Sequence, residues 1–452
     1  MNGQHAGEKP ACRLKPCKSP RVQLPVSTPF RPLLALLLLA GSPAGAAQCL
    51  VLGDSLTKEY EVEFPALYPA NPAAWAARNW AEILHEHRRT WFDLGRFTSY
   101  ADPRLTGHEH NWAFPGATTT EIRTQLANPL NFWWHRELEG QLEDAVERVV
   151  IFAGGNDVDS YYGKLYDGEA AAAQLAATRD NLKWMVDYVR SVKATLPIVL
   201  VSVPHLGCAP KVQAEHPTDP VKTARVTAAL DNLNAELAAF AASRGIGFVP
   251  EVYDLTRRMI ADPIRIGGLE FYRQADANAR ARYLFSGDGF HPGTSAQAVI
   301  AQAIAEAFRA WQPLIAPLSD REILDEVLGL DPDLPFHEWM ASQGVAANRR
   351  GLNDDPDGDG LVNALEFSLA EGAAAKAAPG LLRPQREQDK LRWSWRPRVE
   401  ASEWAPLRAE RSTDLIDWQA VDPALITQDE DGTQHLRLPL TGRSFLRLRL
   451  DR

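Results

Sequence analysis

The sequence predicts an α/β fold over residues 48–316, a three-layer parallel sheet with helices on both faces. Three observations predict it. From Cys49 to about Trp311, short β-type runs alternate with helical patterns, the signature of strand–helix–strand units. The strands read as continuous apolar runs and not as strict alternation, as strands covered on both sides do. And 452 residues, 45% of them hydrophobic, are enough for a full core with two or three domains in all.

The elements follow in order. Residues 49–52 form a compact buried strand, and 73–87 a helical stretch. Residues 91–97 are a weaker strand candidate. The clearest strand is 148–152, followed by a long helix from about 169 to 193. A strand at 197–203 leads to a helix starting near Asp219, where Val226, Leu230, Leu233 and Leu237 recur at helical spacing. A fifth strand at 246–249 and a helix at 294–311 complete the domain. Pro313, Pro317 and Ser319 mark a linker, after which 319–371 reads as a small helical module around an acidic loop. A hinge rich in Ala, Gly and Pro precedes 386–452. There Leu391, Trp393 and Trp395 alternate with polar residues, as Leu446, Leu448 and Leu450 do with Arg447 and Arg449, which predicts a β-rich module of antiparallel strands.

Residues 1–47 read as a cleavable signal peptide. Lys9, Arg13, Lys15, Lys18, Arg21 and Arg31 precede an apolar run at 33–40, which ends in small residues around Ala44-Gly45-Ala46. The run is short for a bilayer span, so a membrane anchor is the lesser alternative and the expected destination is the periplasm or the exterior. The net charge of -10, with no long basic run in the body, argues against nucleic acid as a partner. Of four cysteines, Cys12 and Cys17 fall in the leader, leaving Cys49 and Cys208 as two expected unpaired, buried thiols.

Four segments carry candidate chemistry. Gly53-Asp54-Ser55 follows the first strand directly, where a serine hydroxyl can be exposed. Asp288-Gly289-Phe290-His291-Pro292 precedes the last helix and offers a base with a carboxylate to orient it. Gly154-Gly155-Asn156-Asp157 follows the strongest strand and offers an amide donor for an oxyanion. Gly116, in Phe114-Pro115-Gly116-Ala117-Thr118, offers a backbone N–H. Each also has a bland reading: helix caps for Asp54 and Asp288, ordinary turns for the glycine-rich pieces. Together, at strand ends and helix starts, they fill the roles of nucleophile, base, orienter and oxyanion donor.

Taken in chain order, as Gly53-Asp54-Ser55, Gly116, Gly154-Gly155-Asn156-Asp157 and Asp288-Gly289-Phe290-His291-Pro292, the four segments resemble the SGNH hydrolase family, also called GDSL esterases and lipases. The resemblance covers about residues 48–312 and implies a flavodoxin-like three-layer sheet. It also implies catalytic Ser55, Asp288 and His291, with Ser55, Gly116 and Asn156 forming an oxyanion hole. Asp54 and Asp157 are expected to brace their loops. His205 is expected to be a packed residue more than a pocket one. Trp112, Phe114, Trp133 and Trp134 serve equally as groove or core.

The acidic loop has its own pattern. Asp355, Asp357, Asp359, Asn363 and Glu366 occupy positions one, three, five, nine and twelve of a twelve-residue loop with Gly360 at six. This is the EF-hand spacing, with the carbonyl of Leu361 at position seven as a further ligand. The loop is similar to calcium loops of secreted bacterial modular proteins, which implies a structural Ca2+ and no cofactor for catalysis. The expected activity is a secreted serine esterase on a small-molecule or carbohydrate ester, including O-acetyl groups. A lipase or lysophospholipase acting on longer acyl chains, and a non-catalytic adhesion or scaffold protein, are the alternatives. Trp393, Trp395, Trp404 and Trp418 in the tail either form a small core or contact polysaccharide or a cell surface.

Overall fold

A computed structural model describes residues 46–99, 106–369, 371–374, 384–439 and 443–451. The leader up to residue 45, with Cys12 and Cys17, lies outside them. Ala47, the last residue assigned to the leader from sequence, is buried, and its backbone pairs with Thr90 and Asp93.

Five strands build the central sheet: β1 (Cys49–Gly53), β2 (Asn111–Ala113), β3 (Arg148–Phe152), β4 (Ile198–Val201) and β5 (Gly247–Val249). Their spatial order is β2-β1-β3-β4-β5 and every pairing is parallel. This is the flavodoxin-like order, in which the chain reverses direction across the sheet between β1 and β3. Every residue of β1, β3 and β4 is buried. Successive side chains point to opposite faces, so both faces of the sheet are covered. Helices Trp80–His87 and Thr294–Phe308 pack on each other, and Thr119–Ala127, Gly155–Asp167, Ala172–Val192 and Pro220–Arg244 form a second packed group.

The helix starts follow local chemistry. Asn79 with Glu82, and Thr118 with Glu121, form reciprocal capping boxes. Asp219 caps Pro220–Arg244 with proline in its first turn. The cap at Asn79 explains why residues 73–87 are not one helix: a short 3-10 turn, Pro72–Ala76, ends before the helix restarts at Trp80. Residues 91–97 are not a sheet strand. Asp93 makes a single parallel bridge with Gln48 beside β1, Gly95 takes φ +80, and Phe97–Thr98 then turns off to pair in a two-stranded ribbon with Gly107–His108. The edge of the sheet is instead β2, too short and polar at its start to show in the sequence.

After β5 an antiparallel and parallel three-stranded excursion, Ile264–Ile266, Leu269–Asp276 and Tyr283–Ser286, delivers the segment holding Asp288 and His291. Cys49 and Cys208 are free and buried, as the sequence predicts. No helix among the described residues is long and apolar enough to cross a membrane.

Beyond residue 318 the cores interlock. Ile323 and Leu324 belong to the main core, while Phe336, Met340 and Phe367 share a cluster with Ala401 and Trp404. The tail forms two antiparallel sheets, of four and three strands. Trp393, Trp395 and Trp404 are buried, so they pack a core and present no exposed aromatic platform. Trp418 lies under the Arg447 guanidinium, 4.1 Å from its ring centre.

Gly53 tests the local architecture. A Cβ at this position would collide with the Phe152 carbonyl oxygen and the Thr57 side chain, and Thr57 already donates to that carbonyl at 3.0 Å. Gly53→Ala is therefore expected to destabilise by roughly 3 kcal/mol or more, read as a lowered midpoint in thermal or urea unfolding; an unchanged midpoint contradicts this packing.

Candidate active site

In a doubly wound sheet the crevice forms where the strand order reverses, beyond the carboxyl ends of the two strands concerned. Here those strands are β1 and β3. The residues after β1 are Asp54 and Ser55, and after β3 come Gly154, Gly155 and Asn156.

Asp54 ties the two ends together. Its Oδ1 accepts from Leu56 N (3.0 Å) and its Oδ2 from Gly154 N (3.2 Å). Its carbonyl accepts from Thr57 N and Lys58 N, so one helical turn starts at the strand end and holds Ser55. Burial raises the Asp54 pKa to about 6, against the pull of those two backbone N–H groups. Gly154 takes φ +112, a conformation open to glycine and few other residues, and thereby turns the chain from β3 into Gly155–Asp167.

The long-range partner arrives 236 residues later. Ser55 Oγ donates to His291 Nε2 at 2.9 Å, and His291 Nδ1 donates to Asp288 Oδ2 at 2.5 Å. The direction follows from chemistry: a carboxylate only accepts, which fixes the imidazole tautomer. Asp288 Oδ1 accepts from Phe290 N (2.8 Å), His291 N (3.0 Å) and Ser286 Oγ (3.0 Å). The turn folds back on itself through Ser286 N to His291 O and Gly293 N to Leu284 O.

These contacts shape the charges. Burial disfavours charge on both partners, yet the mutual hydrogen bond and attraction win. Asp288 is held well below the usual carboxylate range, and the His291 pKa is raised. Glu63 and Asp54, when ionised, add further negative potential at His291.

Asp157 accepts from Thr119 N and Thr119 Oγ1, both at 2.7 Å, and from Thr178 Oγ1 at 3.1 Å. It thus braces the start of Thr119–Ala127 against the loop after β3. Asn156 Nδ2 donates to Ala117 O at 3.0 Å, which draws it to the loop containing Gly116. That loop begins with Phe114 N donating to Gly53 O and closes in a turn from Ala117 N to Phe114 O; Gly116 is exposed on it. Ser55, Gly116, Asn156, Asp288 and His291 therefore sit on three neighbouring loops and one returning turn.

Other candidates separate. His205 is buried, with Nδ1 accepting from Gly207 N and Nε2 against Thr227 Oγ1, and burial lowers its pKa to about 4; it is a packed residue. Trp112 lies in the core with its indole N–H on Gln141. Phe114 packs against Trp134, while Trp133 is 75% exposed.

The sequence does not signal the supports behind His291. The Tyr60 ring stands edge-on to the imidazole, 6.4 Å between centres, and its hydroxyl donates to Pro292 O at 2.9 Å. Gln297 Nε2 donates to that hydroxyl at 2.7 Å. Glu63, one turn along the same helix, is pushed up to about 8 by burial. The i, i+3 and i+4 placement of Tyr60, Glu63 and Phe64 on one helix face is the only signal that the sequence offers.

A model of the GDSL-like lipase/acylhydrolase family matches residues 51–299, which is more than half of the chain. The chain belongs to the GDSL-like lipase/acylhydrolase family. That membership places its chemistry with ester hydrolysis. Solved structures similar to it include a lipase/acylhydrolase from Enterococcus faecalis (16% identity, 60% of this chain and 99% of that one, TM-score 0.30). An extracellular lipase from Streptomyces rimosus matches at 18% identity over 58% of this chain and 100% of that one, with a TM-score of 0.34. A family 3 carbohydrate esterase from Clostridium thermocellum matches at 14% identity over 60% and 100%, with a TM-score of 0.30. Among curated proteins, no relative matches.

The field around His291 is directly measurable. Ring NMR of the histidines is expected to place the His291 titration above the ordinary value of about 6.5, and Asp288→Asn to lower it. An unchanged midpoint in that variant contradicts the pairing as the source of the shift.

Proposed function

We propose that the chain is a serine esterase in which Ser55 attacks the ester carbonyl, His291 removes its proton and Asp288 holds the imidazole. The observation that carries this reading is the unbroken hydrogen-bonded series Ser55 Oγ, His291 Nε2, His291 Nδ1 and Asp288 Oδ2. A serine hydroxyl becomes a competent nucleophile only beside such a base. As the proton moves to Nε2, the imidazolium gains the Asp288 charge, already held ionised by three donors to its other oxygen. An acyl-enzyme forms on Ser55 as the alcohol leaves with the proton from His291. Water, deprotonated by the same histidine, then releases the acid.

The oxyanion of each tetrahedral intermediate is assigned to the backbone N–H groups of Ser55 and Gly116 with the Asn156 side chain. An amide carries two N–H donors; one from Asn156 is engaged on Ala117, which leaves the second for the oxyanion. Each such donor contributes about a hundred- to a thousandfold in rate.

The preferred substrate class in this reading is a small carboxyl ester, including O-acetyl groups carried on carbohydrate. The exterior or periplasm is its site of action, an inference from the basic, apolar and small-residue order of the leader. One observation favours the longer-chain alternative: Leu130 and Trp133 are 88% and 75% exposed beside the segment that packs on Phe114, an apolar surface suited to an acyl tail.

Two measurements test this. Ser55→Ala is expected to reduce hydrolysis of p-nitrophenyl acetate by about a thousandfold or more, and full retention of activity overturns the mechanism. Because His291 acts as the neutral base, kcat/KM should rise with pH through its raised pKa, so the acid limb lies above that of an ordinary histidine. A series from acetate to palmitate then separates the two substrate classes: a maximum at short chains supports the first, a maximum at long chains the second.

A further inference from the structure

The acidic loop at 355–366 lies outside the active site, and its geometry raises a physical problem of its own. The carboxylate oxygens of Asp355, Asp357 and Asp359 converge to within 4.8 Å of one another. Backbone amides hold them there: Gly358 N (2.7 Å) and Gly360 N (3.0 Å) donate to Asp355, Asp359 N to Asp357 (3.1 Å) and Leu361 N to Asp359 (2.8 Å).

A second observation is independent of that cluster. Glu366 is fully buried, and among the described residues neither of its oxygens accepts a hydrogen bond. Asn363 is also fully buried. Its amide nitrogen is committed to the Arg349 and Gly351 carbonyls, at 3.0 and 2.8 Å, which turns its oxygen away from them, and that oxygen too has no partner among the described residues. An unpaired carboxylate and an unpaired amide oxygen in a protein interior are costly. The charges that bear on Glu366 are those of Asp357, Asp359 and Asp355, so its carboxyl faces the aspartate cluster. Arg349, the cation bonded to this loop, is used on the backbone carbonyls of Asp355 and Pro356. What this cluster fits is a cation taking oxygen ligands only. Four side chains, the carbonyl of Leu361 and a glutamate able to bind through one or both oxygens give six or seven ligands, within the six to eight that calcium accepts and more than magnesium needs from protein.

The helix that carries two of these groups, Asn363–Ser368, is also the joint between modules. Its Phe367 packs edge-on to Phe336 and Trp404, at 5.9 and 5.2 Å, and Phe336 stacks on Trp404 at 5.7 Å. Arg398 N and Nε donate to the carbonyls of Ser368 and Phe367, both within 2.9 Å. Leu369 enters the tail core with Trp393, Trp395 and Leu436.

We propose that the loop 355–366 binds one calcium ion, and that the ion clamps the β-rich tail to the helical module through the helix Asn363–Ser368. Without the ion, repulsion between Glu366 and the three aspartates pushes that helix away from the loop. With it, the same charges draw the helix in and seat Phe367 and Leu369 in the shared cores. The clamp stands apart from the esterase reading, and its test uses no catalytic readout.

The full chain, stripped with EDTA, is titrated with calcium alone and with magnesium alone while unfolding and amide hydrogen exchange are followed. Saturating calcium is expected to bind one to one and to raise the unfolding midpoint of the tail by roughly 5 °C or more, with a smaller response to magnesium. Exchange should slow in the tail strands Lys390–Trp395 and Gln434–Pro439 as well as in the loop. Glu366→Gln has a crossed signature: by removing one buried charge it should raise the midpoint in EDTA, while abolishing the calcium response. No calcium response in the wild type, an equal response to magnesium, or a calcium response surviving in Glu366→Gln overturns the site. Protection confined to residues 349–369 overturns the clamp.

Discussion

The Asp54 carboxylate, spanning Leu56 N and Gly154 N, joins the ends of β1 and β3 at the one place where the sheet reverses its order. Every other feature of the site is arranged around that join. It is buried, and its two backbone donors offset much of the cost of a carboxylate there. Because β1 and β3 are parallel and in direct register, Gly53 lies opposite Phe152, and the turns that follow leave the sheet side by side. One turn presents Ser55 and the other Asn156. Gly53 must lack a side chain for the strands to close this tightly.

The proposed base, His291, comes from far along the chain and depends on a second layer of contacts. The turn from Ser286 to Gly293 is closed by its own backbone hydrogen bonds, and Asp288 serves as both the hub of that turn and the partner of His291. The same donors that shape the turn keep the carboxylate ionised, so local folding and the electrostatics of the imidazole share one cause. Tyr60 and Gln297 then fix the turn to the helices on either side of it in sequence.

How much of this was legible in the sequence differs by element. β1, β3 and β4 are continuous apolar runs, and such runs declare buried parallel strands. β2 was hidden because Asn111 is polar; its burial is satisfied only in the fold, by bonds from its amide to Thr57 O and from Ala113 N to its own oxygen. Residues 91–97 have strand composition but carry a positive-φ glycine that only tertiary structure reveals. Gly155–Asp167 was missed as a helix because its opening residues read as a turn. At the site, Ser55, Gly116, Asn156, Asp288 and His291 were legible as short motifs with chemical roles. Tyr60, Ser286 and Gln297 were not, since their partners lie in other elements and ordinary residue types hold them.

In the proposed mechanism one serine, made nucleophilic by one histidine, carries the hydrolysis. The most direct measurement is covalent capture: incubation with a fluorophosphonate, digestion and mass spectrometry. A single adduct per chain is expected on the Ser55 hydroxyl, formed rapidly in the wild type and far more slowly in His291→Ala. An adduct on another serine, or labelling of Ser55 that is as fast without His291, would contradict it.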